Sequence, residues 1–559
     1  RTAYPSTVSA LRGDTWLPEN LEGTDEQKTA WGQESVIEGY IDQVDHTYAL
    51  FSGGYGIINE HQVAIGESTC QARFYGVPAS QGGKSRIEAR EMSIVALERS
   101  KTAREAIKIM GDLATKLGFY AAATGPTIPV AESQGEGGEG LTVADKHEAW
   151  VFHVLGDDTG ESAVWAAQRV PDGHITAIAN QFVIRGIDPN DKDNFMYSDN
   201  IFDVAKRNNL WTEADGLLDF LKVYAPERAH STYATRRVWR IFSWVAPSLN
   251  LPPDTDPYGD DYPFSVPVED PAAFSVQTLM AMNRDHYEGT QFDLTKGLAA
   301  GPFGTPDRYD GSPHKGMNRT VMMSGGFQRA ISLFRTSYSF VATPRADKDD
   351  IFSMMWFTQY APSSSPFTPM YVAAKNPPKE YMKGSLFQFD SSVSFWNFCV
   401  VGNYLSHMYE YIIKDIKAEQ QLLENAAIQD VADIESKVAS VMQSDSGKAA
   451  DMLDDFTSQH GKKTVDSWKD LFPKLITKFH DGYIARNLTS PTIVMHRNGY
   501  PEWWLRAVGY FNASNAPSKG PGVIQFEPNP EEYVSIGTHR FNVLASSLLS
   551  GCLCLAVGV

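Results

Sequence analysis

The stretch "NEHQVAIGESTC", Asn59 to Cys70, holds a short apolar strand between polar ends. Asn59, Glu60 and His61 precede it, and Glu67, Ser68, Thr69 and Cys70 close it. Side chains alternate along a strand, so Val63, Ile65, Glu67 and Thr69 share one face, and Ala64, Gly66, Ser68 and Cys70 the other. The small residues of the second face leave room for a ligand approaching the backbone. A thiol beside hydroxyls and a carboxylate raises nucleophilic catalysis at Cys70, yet a lone cysteine in an apolar run is more often a small packing residue. Nothing in the sequence ties His61 to a nucleophile, so no Ser-His-Asp arrangement is read here. Asn59 fits the turn into the strand, because asparagine tolerates left-handed geometry.

Outward from this stretch, short apolar runs broken by glycine make residues 40–74 strand-rich. Next, "EAREMSIVALERSKTAREAIKIMGDLATKLGF" places Met92, Val95, Ala106, Ile107, Met110 and Leu113 at helical spacing, which predicts one long amphipathic helix on a sheet. "SQGEGGEG", Ser133 to Gly140, reads as a flexible loop. Strands resume in "EAWVFHVLG", "SAVWAAQRV" and "HITAIANQFVIR", and residues 200–250 turn helical and aromatic. The acidic loop "PPDTDPYGDDYPF" lacks EF-hand spacing and reads as solvated. A second set of strands, "RAISLFRTSYSFVA" and "IFSMMWFTQYAP", precedes a long helix over residues 395–442. Alternating sheet and helix blocks imply an α+β or layered α/β architecture.

Composition bounds the function. With 42% hydrophobic and 12% aromatic residues in 559, the chain describes a packed globular protein. A formal charge of −19 disfavours nucleic acid as a partner, because phosphates would be repelled. The cysteines, Cys70, Cys399, Cys552 and Cys554, form neither a disulfide framework nor a metal motif, so no metal or cofactor is implied. Sequons at Asn318, Asn487 and Asn512 lean toward a glycosylated protein of the secretory pathway, a lysosome-like compartment or the cell surface. The start at "RTAYPST" is compatible with an upstream segment having been removed. "VLASSLLSGCLCLAVGV", Val543 to Val559, has no charge and reads either as the start of a membrane anchor or as a buried element.

The run "GYGIINEHQVAIGESTC" followed by "VALERSKTAREAI" resembles the dipeptidase A and secernin family of cysteine dipeptidases, peptidase family C69 (U34). So do "ADKHEAWVFHVLG", "RVPDGHITAIANQFVI", "RRVWRIFSWVAPSLNL", "RDHYEGTQFDLTKGLAAGPFGTP", "RTSYSFV" and "WFTQYAPSSSPFTPMY", in order, over residues 39–421. The resemblance implies a four-layer αββα N-terminal nucleophile hydrolase sandwich. Residues 1–421 would form that domain, 422–536 a helical and loop extension, and 537–559 the apolar tail. It implies hydrolysis of dipeptide amide bonds by an N-terminal cysteine whose own α-amine takes the thiol proton. Ser68 and Asn180 would support the oxyanion. Arg169 and Arg335 are candidates for the substrate carboxylate, and Glu67 or Glu288, more weakly, for its ammonium.

The nucleophile itself is not evident in a chain that begins at Arg1. It would lie upstream, or have been lost, or sit in "GCLCLAVGV", Gly551 to Val559, which is itself similar to the family's nucleophile strand. Two functions follow: a dipeptidase acting on small peptides, or an inactive dipeptidase-like glycoprotein with assembly partners.

Overall fold

The computed structural model describes residues 7–9, 37–121, 137–226, 232–255, 262–309, 328–384, 388–486, 494–510 and 554–557. It mixes helix and sheet, the α+β class that the sequence implies. The opening stretch forms a hairpin near one edge of its seven-stranded sheet. Strands β1 (Leu50–Ser52), β2 (Gly56–Asn59) and β3 (Ala64–Cys70) run antiparallel, and helices α1 (Ala89–Arg99) and α2 (Ala103–Leu117) follow. The sheet then grows through β4 (Gly138–Ala144), β5 (Ala149–Gly156) and β6 (Ala163–Val170). Strand β7 (His174–Ile178) leaves it, and β8 (Phe195–Tyr197) returns to give the order β8-β6-β5-β4-β3-β2-β1.

The single helix expected over residues 88–119 is two. Thr102 caps the second, its Oγ1 accepting from Glu105 N at 3.2 Å. The end of α1 is tied to the sheet: Asn59 Nδ2 donates to the carbonyls of Leu97 and Ser100, both at 2.8 Å. These orphan carbonyls need a donor at a helix terminus, and the sheet provides it. The loop expected at Ser133–Gly140 is also different at its end. Gly138, Glu139 and Gly140 begin β4, opposite Cys70, Thr69 and Ser68. A side chain at Gly140 would meet Ile178, Cys70 Sγ and His153 Nδ1 at 3.0–3.1 Å, so glycine marks a close approach rather than flexibility.

Alternation sets the layers. Ile65, Leu141, Trp150, Phe152 and Trp165 face α1 and α2. On the other face, β7 and the helix α3 (Thr232–Val245) cover one end, with β9 (Val266–Pro267) paired to β7. The other end packs Ile57, Ile58 and Ala64 against Met355, Met370 and Val372. Two of those lie on a three-stranded sheet, β10 (Tyr338–Ala342), β11 (Met354–Gln359) and β12 (Thr368–Tyr371). That sheet turns Met354, Trp356 and Tyr371 toward two long helices.

The helix expected over 395–442 is interrupted into α4 (Ser394–Leu405) and α5 (Tyr409–Val441), and α6 (Ser446–Lys478) runs back along α5. Each of the last two has 33 residues, about 50 Å of helix. Residue 421 falls inside α5, so the helix continues across that expected boundary.

In the apolar tail the described residues are a strand, β13 (Cys554–Val557), paired antiparallel to β7 with Cys554 opposite Ile178 and Val557 opposite Ile175. No helix among the described residues is long and apolar enough to cross a membrane. The three sequon asparagines, Asn318, Asn487 and Asn512, lie outside the described residues, as does Cys552.

Candidate active site

Asn180, just past the end of β7, adopts a left-handed backbone with φ 61°, a conformation that asparagine reaches more readily than other non-glycine residues. Four hydrogen bonds fix it. Its backbone N donates to Ser68 Oγ at 2.9 Å, and its side-chain Nδ2 donates to Thr69 O at 2.7 Å. Its Oδ1 accepts from Arg237 Nη2 at 2.8 Å and from Arg329 Nη1 at 3.3 Å. With the carbonyl oxygen held by two guanidinium groups and one Nδ2 hydrogen on Thr69, the second Nδ2 hydrogen is aimed by its surroundings.

Each partner is set by its element. Ser68 lies on the small face of β3, where the alternation from Val63 puts it. Arg237 projects from α3, is 1% exposed, and also donates to Ala179 O at 3.2 Å. His153, on β5, is buried beneath the turn after Asn180. Its Nε2 accepts from Val183 N at 2.9 Å, which assigns the ring proton to Nδ1. Burial lowers the His153 pKa to about 3, so the ring is neutral and acts as a fixed acceptor. Phe182 and Phe220 pack on it, with centroids at 4.8 and 5.8 Å.

The expected site residues are thus only partly brought together. Ser68 and Asn180 are bonded to one another. Arg169 is elsewhere: on β6 it faces the helix side, where it pairs with Asp172 at 2.6 Å and approaches Glu148 at 3.7 Å. Arg335 is half-buried in the turn leading to β10, six residues after Arg329. Among the described residues, the side chains bonded to Asn180 Oδ1 are those of Arg237 and Arg329. Neither was singled out from the sequence. "RRVWR" offered a signal for Arg237, a basic pair within an apolar helix, but spacing alone did not connect it to residue 180.

Glu67 points to the helix side, where it accepts from Thr69 Oγ1 at 2.9 Å. Next to it Glu139 is fully buried, and burial followed by the Glu67 carboxylate pushes its pKa well above the usual range. Glu288 accepts from His286 N at 2.5 Å; burial alone would raise its pKa, but the bonds from His286 outweigh this and hold it at about 2. Asn59 accepts from His61 N and Val63 N at 3.0 Å, so it shapes its turn through the side chain, while Gln62 carries the positive φ of 64°.

Cys70 is fully buried, and its Sγ donates to Ser68 O at 3.2 Å. Burial, then Glu139 and Glu67, push its thiol well above the ordinary value, the opposite of an activated nucleophile. The backbone of β13 passes the same corner, its Cys554 paired opposite a residue two before Asn180.

The sequence profile of peptidase family C69 matches residues 49–421. A probable dipeptidase of Latilactobacillus sakei is 27% identical over 292 residues, 52% of this chain and 51% of that protein. A probable dipeptidase of Salmonella dublin is 26% identical over 255 residues, 44% of this chain and 52% of its own length. A probable dipeptidase B of Streptococcus pyogenes serotype M1 is 22% identical over 394 residues, 70% and 71% of the two chains. The chain thus spans about half the length of the first two relatives. Because the matched profile takes in β1 through the first part of α5, with Ser68, Asn180, Arg237 and Arg329 inside it, the chain belongs to peptidase family C69.

Proposed function

We propose that this chain hydrolyses the amide bond of dipeptides, with the Asn180 side chain donating to the oxyanion of the tetrahedral intermediate. The observation that carries the reading is the fixation of Asn180 by Ser68, Thr69, Arg237 and Arg329. A donor held in place before reaction pays no reorganisation as charge develops, and such a donor contributes about 3–4 kcal/mol of barrier lowering. Ser68 acts as a positioning residue, because its Oγ already accepts from Asn180 N. Family membership and the names of the relatives support the substrate class.

In this reading a cysteine at the head of a strand transfers its thiol proton to its own α-amine and attacks the carbonyl carbon. The C–N bond breaks, the leaving amine takes the proton, and water hydrolyses the thioester. The layers of helix, seven-stranded sheet, three-stranded sheet and helix support the αββα sandwich in which such a strand sits. The edge of β7 is where the strand would dock, since β13 pairs there.

A dipeptidyl electrophile, followed by peptide mapping, tests the proposal. Labelling that a dipeptide substrate blocks would identify the thiol, and at Cys552 or Cys554 it would require a chain break just before that cysteine to free its α-amine. Absence of any protectable label on the native protein would contradict it.

A further inference from the structure

We infer that Tyr287 is the residue that positions the oxyanion donor: its phenol fixes the segment of Arg329, and through Arg329 the side-chain amide of Asn180. The consequence for turnover rests on the dipeptidase reading. Tyr287 is fully buried and has φ 65°, a left-handed backbone that is uncommon for any non-glycine residue and an outlier for a bulky one. Such a conformation persists only where its surroundings over-determine it, and it clusters at sites that need a fixed geometry.

The surroundings do so here. Tyr287 N donates to Asp285 Oδ1 at 2.8 Å, and Tyr287 O accepts from Thr290 N at 3.1 Å and Thr290 Oγ1 at 2.8 Å. The ring packs with Leu294 and Ala330, and its Oη donates to Arg329 O at 2.7 Å.

The same short segment also reaches the second guanidinium on Asn180 Oδ1. Arg240 follows Arg237 by three residues on α3, close to one turn of helix. It binds Asp285 through two bonds, at 2.9 and 2.6 Å, and donates to Glu288 O at 3.1 Å. Ser332 N, three residues past Arg329, donates to Asp285 O at 3.0 Å. Residues 285–288 therefore tie the helix of Arg237 to the segment of Arg329, and both arginines meet at Asn180 Oδ1. Arg284 anchors this junction on Glu424 of α5, at 3.0 and 2.5 Å. Loss of the phenol bond frees the Arg329 backbone to shift, and a misplacement of about 1 Å passed on to a catalytic group can cost about 100-fold in rate.

Nuclear magnetic resonance of the full chain, with isotope-labelled asparagine, reads Asn180 without turnover; its Nδ2 signals are those missing from Asn180→Gly. Tyr287→Phe should shift them and speed their hydrogen exchange about 3–10-fold, and Arg329→Gln should do the same. Tyr371→Phe, which removes a buried phenol bond to Glu435 from the three-stranded sheet, should leave them in place. Thermal melts confirm that each variant is folded. Asn180 signals unmoved in Tyr287→Phe or in Arg329→Gln, or moved as far by Tyr371→Phe, would overturn the inference. In dipeptide hydrolysis, Tyr287→Phe should lower kcat about tenfold with KM within about twofold, yet change kcat by no more than about twofold when added to Asn180→Gly. An equal loss in both backgrounds would mean a merely structural role and would overturn it as well. No turnover by the native protein, beside shifted Asn180 signals in the variants, would tell against the proposed function alone.

Discussion

At Asn180 the backbone conformation and the side-chain amide are both in use, so substitutions can separate geometry from chemistry. Glycine adopts φ 61° freely, whereas alanine there adds about 1–2 kcal/mol of left-handed strain. Ser68→Ala removes the acceptor of Asn180 N and leaves a buried N–H unpaired. It should lower stability by about 1–3 kcal/mol and reduce kcat more than it raises KM, as urea melts and steady-state kinetics on one dipeptide will show. Cys70→Ala should leave turnover within about twofold, because that thiol is sealed against Ser68 O and is not the attacking group. A loss of all activity in that variant would return Cys70 to the mechanism. The periodicity of the opening stretch made Ser68 legible, since strand alternation alone puts it on the small face. Arg237 and Arg329 were not legible, because their relation to Asn180 spans 57 and 149 residues and no local pattern encodes it.

Elements were read most accurately where a single period ran unbroken, and least where a helix ends inside a run. The residues from Glu88 to Phe119 keep apolar spacing throughout, yet the chain breaks at Ser100–Thr102, because Asn59 from a distant turn takes the carbonyls of Leu97 and Ser100. The glycines of "SQGEGGEG" suggested flexibility, while those at the head of β4 serve close packing. Gly111, within α2, gives a test at this scale. Alanine would gain about 1 kcal/mol of helix propensity, but its Cβ would meet the Trp165 ring at 2.3 Å. Overpacking costs about 1–3 kcal/mol, so Gly111→Ala should lower the melting temperature despite the propensity gain. A rise instead would mean that the indole moves aside at little cost.

Across the whole molecule, the interface between the sheet and α1 stores carboxyl groups. Burial raises the Glu88 pKa to about 7 from an ordinary value of 4.5, with Arg90 lowering it and Glu67 adding to the rise. The folded state therefore holds more protons than the unfolded chain between those values. Stability should fall as pH climbs from about 4.5 to 7 and remain reduced above that. Glu88→Gln should flatten this slope and gain about 2–3 kcal/mol at pH 8, read from denaturant melts across pH. A steeper slope in the variant would contradict the assignment. The layered core that carries these groups also holds the site, since Thr69 gives its carbonyl to Asn180 and its hydroxyl to Glu67. The most direct measurement is steady-state hydrolysis of a dipeptide panel by the native full chain and by Asn180→Gly, with the fold of each verified by circular dichroism. The account predicts turnover by the native protein and a fall in kcat of about 100–1,000-fold in the variant with little change in KM. Equal turnover by the two would contradict it.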